Sequence, residues 1–502
     1  MNKTLLPVVL VVSLLSGCKL TPKYVRPPTP VPNAWPTGDA YSATADGTNA
    51  PSAADLRWQA FFTDAKLRQI IAGSLTNNLD LRIALLKVEQ MRALYGVQRD
   101  ELYPSLSANA DLSKARVPAD LSSTGHRHTT TRYDVNLGVA SWEIDFFGRI
   151  RALKDQALEE YLASEQARRN AQILLISSIA STYLALAADL ESQRLSETTL
   201  KAQEDSYTLI KRRYDIGVVT ELDLYRAQTQ VDTARGNVAQ YKQQVAEDIN
   251  ALNLLAGEPI PDGLLPARLD DITPPRAFSA GTPSDVLLLR PDIAQAEALL
   301  RAANADIGAA RAAFFPSISL TAFAGTASSE LSGLFKGQSG AWNYAPQVGM
   351  PIFDARTWSA FRVAKSQQKL ALTQYELAIQ SAFKEVADAL AVRGTIGERV
   401  NAQQSLVNAM EATYRLSSSR YDKGIDSYLS VLDAQRSLYS AQQALVSLRQ
   451  AQAASLIHLY AVLGGGAEDE TKQPLPSVSA RPVPAAASSA PTAQMAPLLK
   501  AP

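Results

Sequence analysis

The feature that most constrains this chain is that it repeats itself. "RYDIG" begins at Arg213 and "RYDKG" at Arg420, an offset of 207 residues. The flanks match as well: "SYTLIKRRYDIGVVTELDLYRAQ" lies over "TYRLSSSRYDKGIDSYLSVLDAQ" without a gap, so Leu222 falls on Leu429 and Ala227-Gln228 on Ala434-Gln435. Solenoid repeats run to about 50 residues, so this one duplicates half a molecule. A second echo agrees. Tyr103-Pro104-Ser105 and Phe315-Pro316-Ser317 each close a helix-forming stretch, "LRIALLKVEQMRALYGVQRDEL" and "AQAEALLRAANADIGAARAAFF", with the prolines at 104 and 316. Proline stops a helix because it lacks the N–H and clashes with the preceding turn.

After each proline the hydrophobic period changes to two. Leu106, Ala108, Ala110 and Leu112 alternate with polar residues, as do Tyr133, Val135, Leu137 and Val139. The second half repeats the pattern from Ile318 and again from Trp342. Runs of about ten residues with period two mark transmembrane barrel strands, here expected near 105–115, 133–144, 317–327 and 342–353. Long helices follow, from about Gly148 and Thr357 to the two pentapeptides. Gly217 and Gly424 suit the left-handed position that ends a helix. The pentapeptides then read as turns of two helical hairpins, with tips at 213–220 and 420–427. A kink inside one continuous helix is the alternative. Four strands cannot close around a lumen, and a sheet edge is not tolerated in lipid. The chain must therefore oligomerise, and a trimer with twelve strands is the smallest ring expected to hold a pore.

The opening "MNKTLLPVVLVVSLLSGCKL" has the charged and apolar regions of a secretory signal over 1–17. Leu15-Ser16-Gly17-Cys18 resembles the bacterial lipobox, which implies lipid on Cys18; Lys19, in place of an aspartate, points to the outer membrane. Cys18 is the one cysteine, so disulfides are excluded. Residues 18–54 read as a lipidated Pro-rich tether, 55–270 and 271–466 as the two repeats, and 467–502 as a disordered Pro/Ala/Ser-rich tail. Forty-nine basic and forty-nine acidic residues cancel, which gives no footprint for nucleic acid. The most apolar later stretch, Ile173 to Ala188, is interrupted by Ser and Thr and reads as a buried helix face.

"LRPDIAQAEALLRAANADIGAARAAFFPSISL" (Leu289 to Leu320), "RYDKGIDSYLSVLDAQRSLYSAQQAL" and "LYAVLGGG" resemble the signatures of outer membrane factors. Together with Cys18 and the Pro-rich start they resemble the NodT-type lipoprotein branch. The resemblance covers nearly everything from Cys18 to Gly466. It implies a mainly α fold with a β-barrel part: a trimeric channel-tunnel with four transmembrane strands per chain, a periplasmic α-helical barrel and a mixed equatorial domain. It implies a homotrimer in the outer membrane that works with a periplasmic adaptor and an inner-membrane pump of the RND type. Leu429, Asp433 and Arg436 share one helix face at i, i+4 and i+7. Alone, Asp433 and Arg436 read as a surface ion pair; the resemblance implies a periplasmic gate with a leucine constriction and an acidic ring that favours cations. Position 430, acidic in some relatives, is Ser430, and Arg226 stands opposite Asp433 in the first repeat. Asp223 and Tyr421 match residues that tether helices in the closed state of relatives, while the position of their arginine partner holds Asp426. Gly217 and Gly424 match tips where the adaptor docks.

Catalysis finds no support. His126, His128 and His458 do not form a zinc pattern, which wants three or four ligands. No phosphate-binding loop or nucleophile elbow occurs, and no cofactor is expected beyond the lipid. A protein-secretion conduit, a structural periplasmic lipoprotein and a cell-wall enzyme are the competing readings.

Overall fold

The computed structural model describes residues 19–41, 53, 56–280 and 286–467. The signal segment, Cys18 and the tail from 468 lie outside the described residues. In chain order the elements are α1 (Trp58–Phe61), α2 (Ala65–Asn77), α3 (Leu79–Asp100), β1 (Leu106–Val117), β2 (His128–Glu143), α4 (Arg149–Asp215), α5 (Glu221–Ala256), α6 (Pro291–Ala312), β3 (Ser317–Ser328), β4 (Gly340–Gly349), α7 (Ala355–Asp422) and α8 (Tyr428–Val462). The starts are written locally. Asp64 and Asn78 accept from the Leu67 and Leu81 N–H groups at 2.8 Å, satisfying donors that a first turn leaves free. Pro291 occupies the first turn of α6, where no N–H is missed.

β1 to β4 form one antiparallel sheet in sequence order. The register separates its faces. On one face Leu106 opposes Val139, Ala108 opposes Leu137, Leu137 opposes Ala324, and Ala324 opposes Trp342. On the other, Ser107 opposes Gly138, Asn109 opposes Asn136, Asp111 opposes Asp134, and Ser319 opposes Gln347. A bulge between Val139 and Trp142, with Ser141 at φ 53°, returns Trp142 to the apolar face opposite Leu320. β2 begins at His128, ahead of the expected 133, because Thr129, Thr130 and Thr131 complete the ladder with Arg116, Ala115 and Lys114. Polar residues on both faces near a strand end hide it from a hydrophobic count. β1 and β4 are the sheet's edges.

Below the sheet, α4 and α7 hold 67 and 68 residues, about 100 Å each at the α-helical rise. α4 packs on α5, α8, α6 and α3, and α7 packs on α8 and α6. The lateral order of the long helices is therefore α5–α4–α8–α7, with α5 and α7 on the outer flanks. The core sits partway down, where Ile176, Ile179, Tyr183 and Leu186 of α4 meet Tyr375, Ile379 and Val386 of α7 and Tyr460 of α8. The apolar stretch 173–188 of α4 is thus core. Phe61 stacks on Tyr460 at 3.9 Å, and the Tyr460 hydroxyl donates to the Leu56 carbonyl at 2.6 Å.

Residues 19–41 correct the expectation of a free tether. They run extended, yet they are fastened along α6. Arg26 donates twice to Glu297 at 2.8 Å, Tyr24 donates to the same carboxylate at 3.1 Å, and Arg301 adds a third donor at 2.8 Å. Asn304 and Arg311 donate to the Pro22 and Leu20 carbonyls. A Cβ at Gly308 would lie 2.2 Å from the Thr21 hydroxyl, so the strap needs glycine there. Trp35 stacks on Phe383 at 5.2 Å. Composition registers only the prolines; the partner of Arg26 lies 271 residues away.

Candidate functional site at the helical tips

The repeated pentapeptides build two matching turns. After α4, Gly217 takes φ 78°, its N–H donates to the Tyr214 carbonyl at 2.8 Å, and the Val218 N–H donates to Arg213 at 2.9 Å. After α7, Gly424 takes φ 71°, with Gly424 donating to Tyr421 and Ile425 to Arg420, each at 2.9 Å. This paired closure satisfies the last carbonyls of a helix and needs a left-handed residue, hence the glycines. A Cβ at either glycine would meet nothing within 4 Å, so both tips are open to the outside.

The returning helices begin differently. At α5, Thr220 and Asp223 form a reciprocal cap: the Asp223 N–H donates to the Thr220 hydroxyl at 3.3 Å, and the Thr220 hydroxyl donates to the Asp223 carboxylate at 2.7 Å. At α8, Ser427 makes no such side-chain bond, and packing holds the start instead. Tyr428, Val431 and Leu432 are at most 6 % exposed and meet Ile210 of α4 and Ala227 of α5. The Tyr428 hydroxyl pairs with Ser206 of α4 at 2.8 Å. Burial raises the Tyr428 pKa, keeping the phenol neutral.

That packing turns the opposite face of α8 outward. Leu429 is 45 % exposed. Arg436 donates to Asp433 at 2.8 Å, and both side chains are largely exposed. Leu429, Asp433 and Arg436 are thus brought together on one open face, clear of the protomer's own core. Asp223 and Tyr421 are not joined. Asp223 is engaged by Thr220 and lies 3.8 Å from Arg226, while the Tyr421 hydroxyl is buried without a hydrogen-bond partner. Asp426 is held by Arg420 of its own turn, at 2.5 and 3.1 Å, which depresses the Asp426 pKa.

One contact went unread in the sequence. Arg213, from the first pentapeptide, lies 3.8 Å from Asp422 of the second and 5.2 Å over the ring of Tyr421. The two copies of the motif clasp each other. The repeated Arg-Tyr-Asp was the available signal, but the pairing depends on which helices are neighbours. Among the described residues no cluster of His, Cys, Asp and Glu could hold a metal ion.

The chain matches the family model described as outer membrane efflux protein over residues 70–258 and 282–465. It is 47% identical over 474 residues to the toluene efflux pump outer membrane protein TtgC of Pseudomonas putida, covering 94% of this chain and 98% of that one. Similarity to outer membrane protein OprJ of Pseudomonas aeruginosa is 39% over 465 residues, covering 91% and 95%. Among solved structures, the open state of the MtrE outer membrane channel of Neisseria gonorrhoeae superposes with a TM-score of 0.79 at 37% identity, covering 90% and 99%. The CmeC outer membrane channel of Campylobacter jejuni gives 0.80 at 25% identity, covering 91% and 97%. A duplicated chain with a two-faced sheet, two long hairpins and these relatives belongs to the outer membrane efflux protein family.

Proposed function

We propose that this chain is the outer-membrane channel of a tripartite efflux pump, in which three copies close into one conduit. The carrying observation is the two-faced sheet with its two open edges. Leu106, Leu112, Leu137, Trp342, Tyr344 and Val348 are more than half exposed in the single chain. A sheet that is apolar on one face, polar on the other and unpaired at both edges is stable in a bilayer only when closed. Pairing β1 of one copy with β4 of the next gives twelve strands, and the same ring brings α7 against α5 of the next copy.

The channel conducts small molecules passively from a periplasmic adaptor and an inner-membrane pump of the RND type to the outside. Relatives named for toluene, antibiotic and solvent efflux support drugs and small organic molecules as the cargo. No catalysis is assigned. Lipid on Cys18 would anchor the chain: Leu20 binds Arg311 near the end of α6, and Lys19 lies 3.2 Å from Asp155, six residues into α4. Both contacts lie within about 10 Å of the sheet at the helical rise, so the described start of the strap lies at the sheet end of these helices. Leu429 and Asp433 would ring the axis at the periplasmic end, with Arg436 beside them. Gly217 and Gly424 would receive the adaptor. Asp223 and Tyr421 would contribute to holding the closed tip, Tyr421 beneath Arg213 and Asp223 beside Arg226. The domain plan would be a lipidated N-terminal segment whose residues 19–41 form the strap, then two repeats and a tail.

Electron microscopy of detergent-purified protein without partners tests this reading. A threefold tapered cylinder well over 100 Å long is expected from the helix lengths. Monomers or unpaired rods would overturn it.

A further inference from the structure

We propose that the outward rim of the sheet's apolar face binds phosphate-bearing lipid headgroups, with Lys114 and Arg116 as the cations and Thr131 and Thr129 as hydroxyl donors. The proposal rests on the closed barrel above. The strand register carries it. The apolar series Leu106, Ala108, Ala110 and Leu112 continues in the same period to Lys114 and Arg116. β1 pairs with β2 from Leu106 opposite Val139 to Val117 opposite His128, with no bulge along the way. Lys114 and Arg116 therefore stand on the face that meets lipid, and the lumen lies on the other.

Their height decides what they meet. β1 and β3 follow α3 and α6, while β2 and β4 run into α4 and α7, so the α-helices all join one end of the sheet. The turns 118–127 and 329–339 mark the free, outward end. At about 3.4 Å per residue and a tilt of about 40°, Lys114 lies about 21 Å above Leu106 and Arg116 about 26 Å. The apolar band of such a barrel is about 25 Å tall, so the two cations straddle its upper boundary. A cation on the lipid face is costly at the bilayer midplane and nearly free at that boundary, where a long side chain lifts its charge out of hydrocarbon.

The surroundings select an anion. Both side chains are exposed, and neither forms an ion pair or a side-chain hydrogen bond among the described residues. Directly across on β2 stand Thr131 and Thr129, whose hydroxyls donate alongside the cations. The nearby strand carboxylates are on the other face: Asp111 opposes Asp134, and Arg132 holds Asp134 at 2.8 Å. Asp120 and Glu330 lie in the turns beyond, matched there by Arg127 and Lys336. Two unpaired cations with hydroxyls across from them fit a phosphate. Closing the ring adds an apolar flank. The free ends of β1 and of β4 from the next copy meet, and Trp342, 82 % exposed, stands near that end of β4 on the lipid face. Acyl chains against Trp342 and phosphate against Lys114 and Arg116 place one lipid at each boundary between copies, three per trimer.

Native mass spectrometry tests this on the full-length protein, stripped of lipid in an uncharged detergent and titrated with diphosphoryl lipid A. The parent trimer should take up three lipids, with an affinity that falls as salt rises. Lys114→Gln and Arg116→Gln should each weaken binding about fivefold, and the double variant further. Lys114→Arg should bind as the parent does. Arg132→Gln, on the lumen face, should leave the affinity unchanged. Dephosphorylated lipid A should bind the parent weakly and without salt dependence. Equal affinity of the parent and the double variant overturns the proposal, as does equal affinity for the two forms of lipid A. A parent trimer that takes up no lipid overturns it alone. A parent recorded only as monomer overturns the ring, and the proposal with it.

Discussion

Asp433 sits in an ion pair that contributes little to stability, since both it and Arg436 are largely exposed. In the proposed ring symmetry changes its weight: three carboxylates around one axis would act on the same passing ion. Asp433→Ala is expected to raise resting conductance. With about 1 kcal/mol of cation attraction lost, the upper end for exposed charges, the cation-to-anion permeability ratio falls about fivefold. Bilayer recordings check both, and unchanged values would take Asp433 out of the gate. A second carboxylate is set against its surroundings. Burial pushes Asp248 of α5 up to about 7, and the hydrogen bond and charge of Asp189 on α4, then the charge of Glu247, add to it. Burial raises Asp189 too. The native state therefore keeps a proton that the unfolded chain has released, and stability falls as pH rises from about 4, the ordinary carboxylate value, to about 7. Asp248→Asn removes that penalty. Its melting temperature should exceed that of the parent by at least about 2 °C at pH 8, with a smaller gain at pH 5. Equal gains at both would show that the pair is not the titrating element.

Among the elements, the strap 19–41 shows what a local reading misses. The long helices were legible because good helix formers run without interruption, and their ends because Gly217 and Gly424 must take positive φ. The strands were legible from period two. The strap has neither period; its order comes from Glu297, whose side chain is 9 % exposed and is shared by Arg26, Tyr24 and Arg301. Burial alone would raise the Glu297 pKa, but the donors outweigh it and hold the carboxyl below its ordinary value. This contribution is present above the ordinary carboxylate range and is lost as pH falls through the depressed value. Glu297→Gln should cost about 1–3 kcal/mol, because the arginines keep their charge while the counter-charge and one of the two acceptor oxygens are lost. It should also expose the Lys23–Tyr24 bond to trypsin. A variant whose strap resists trypsin as the parent does would mean that Trp35 and the carbonyl contacts suffice. The Arg213–Asp422 clasp was illegible for a related reason: two identical triplets gave no hint of which copy met which.

At the scale of the whole molecule, two devices would hold the protein in the membrane, and they differ greatly in strength. One lipidated cysteine contributes the transfer of its acyl chains, and a single chain alone gives only marginal anchoring. A closed sheet contributes backbone bonds that lipid cannot replace, so it leaves the bilayer only by unfolding. The described start of the strap lies near the sheet, since Leu20 and Lys19 are fixed by Arg311 and Asp155. Lipid on Cys18 would then guide and orient the strap during assembly, and the barrel would retain the finished trimer. Cys18→Ser should therefore abolish acyl labelling and lower the yield of assembled trimer, while the trimer that does form fractionates with the outer membrane and resists alkaline extraction. Pulse labelling with a fatty acid, followed by carbonate extraction and bilayer recording, separates these effects. Complete release by carbonate would mean that the lipid, not the sheet, holds the protein, and the twelve-stranded closure would fall with it. Full yield and full conductance without acylation would leave the strap as a purely mechanical brace along α6.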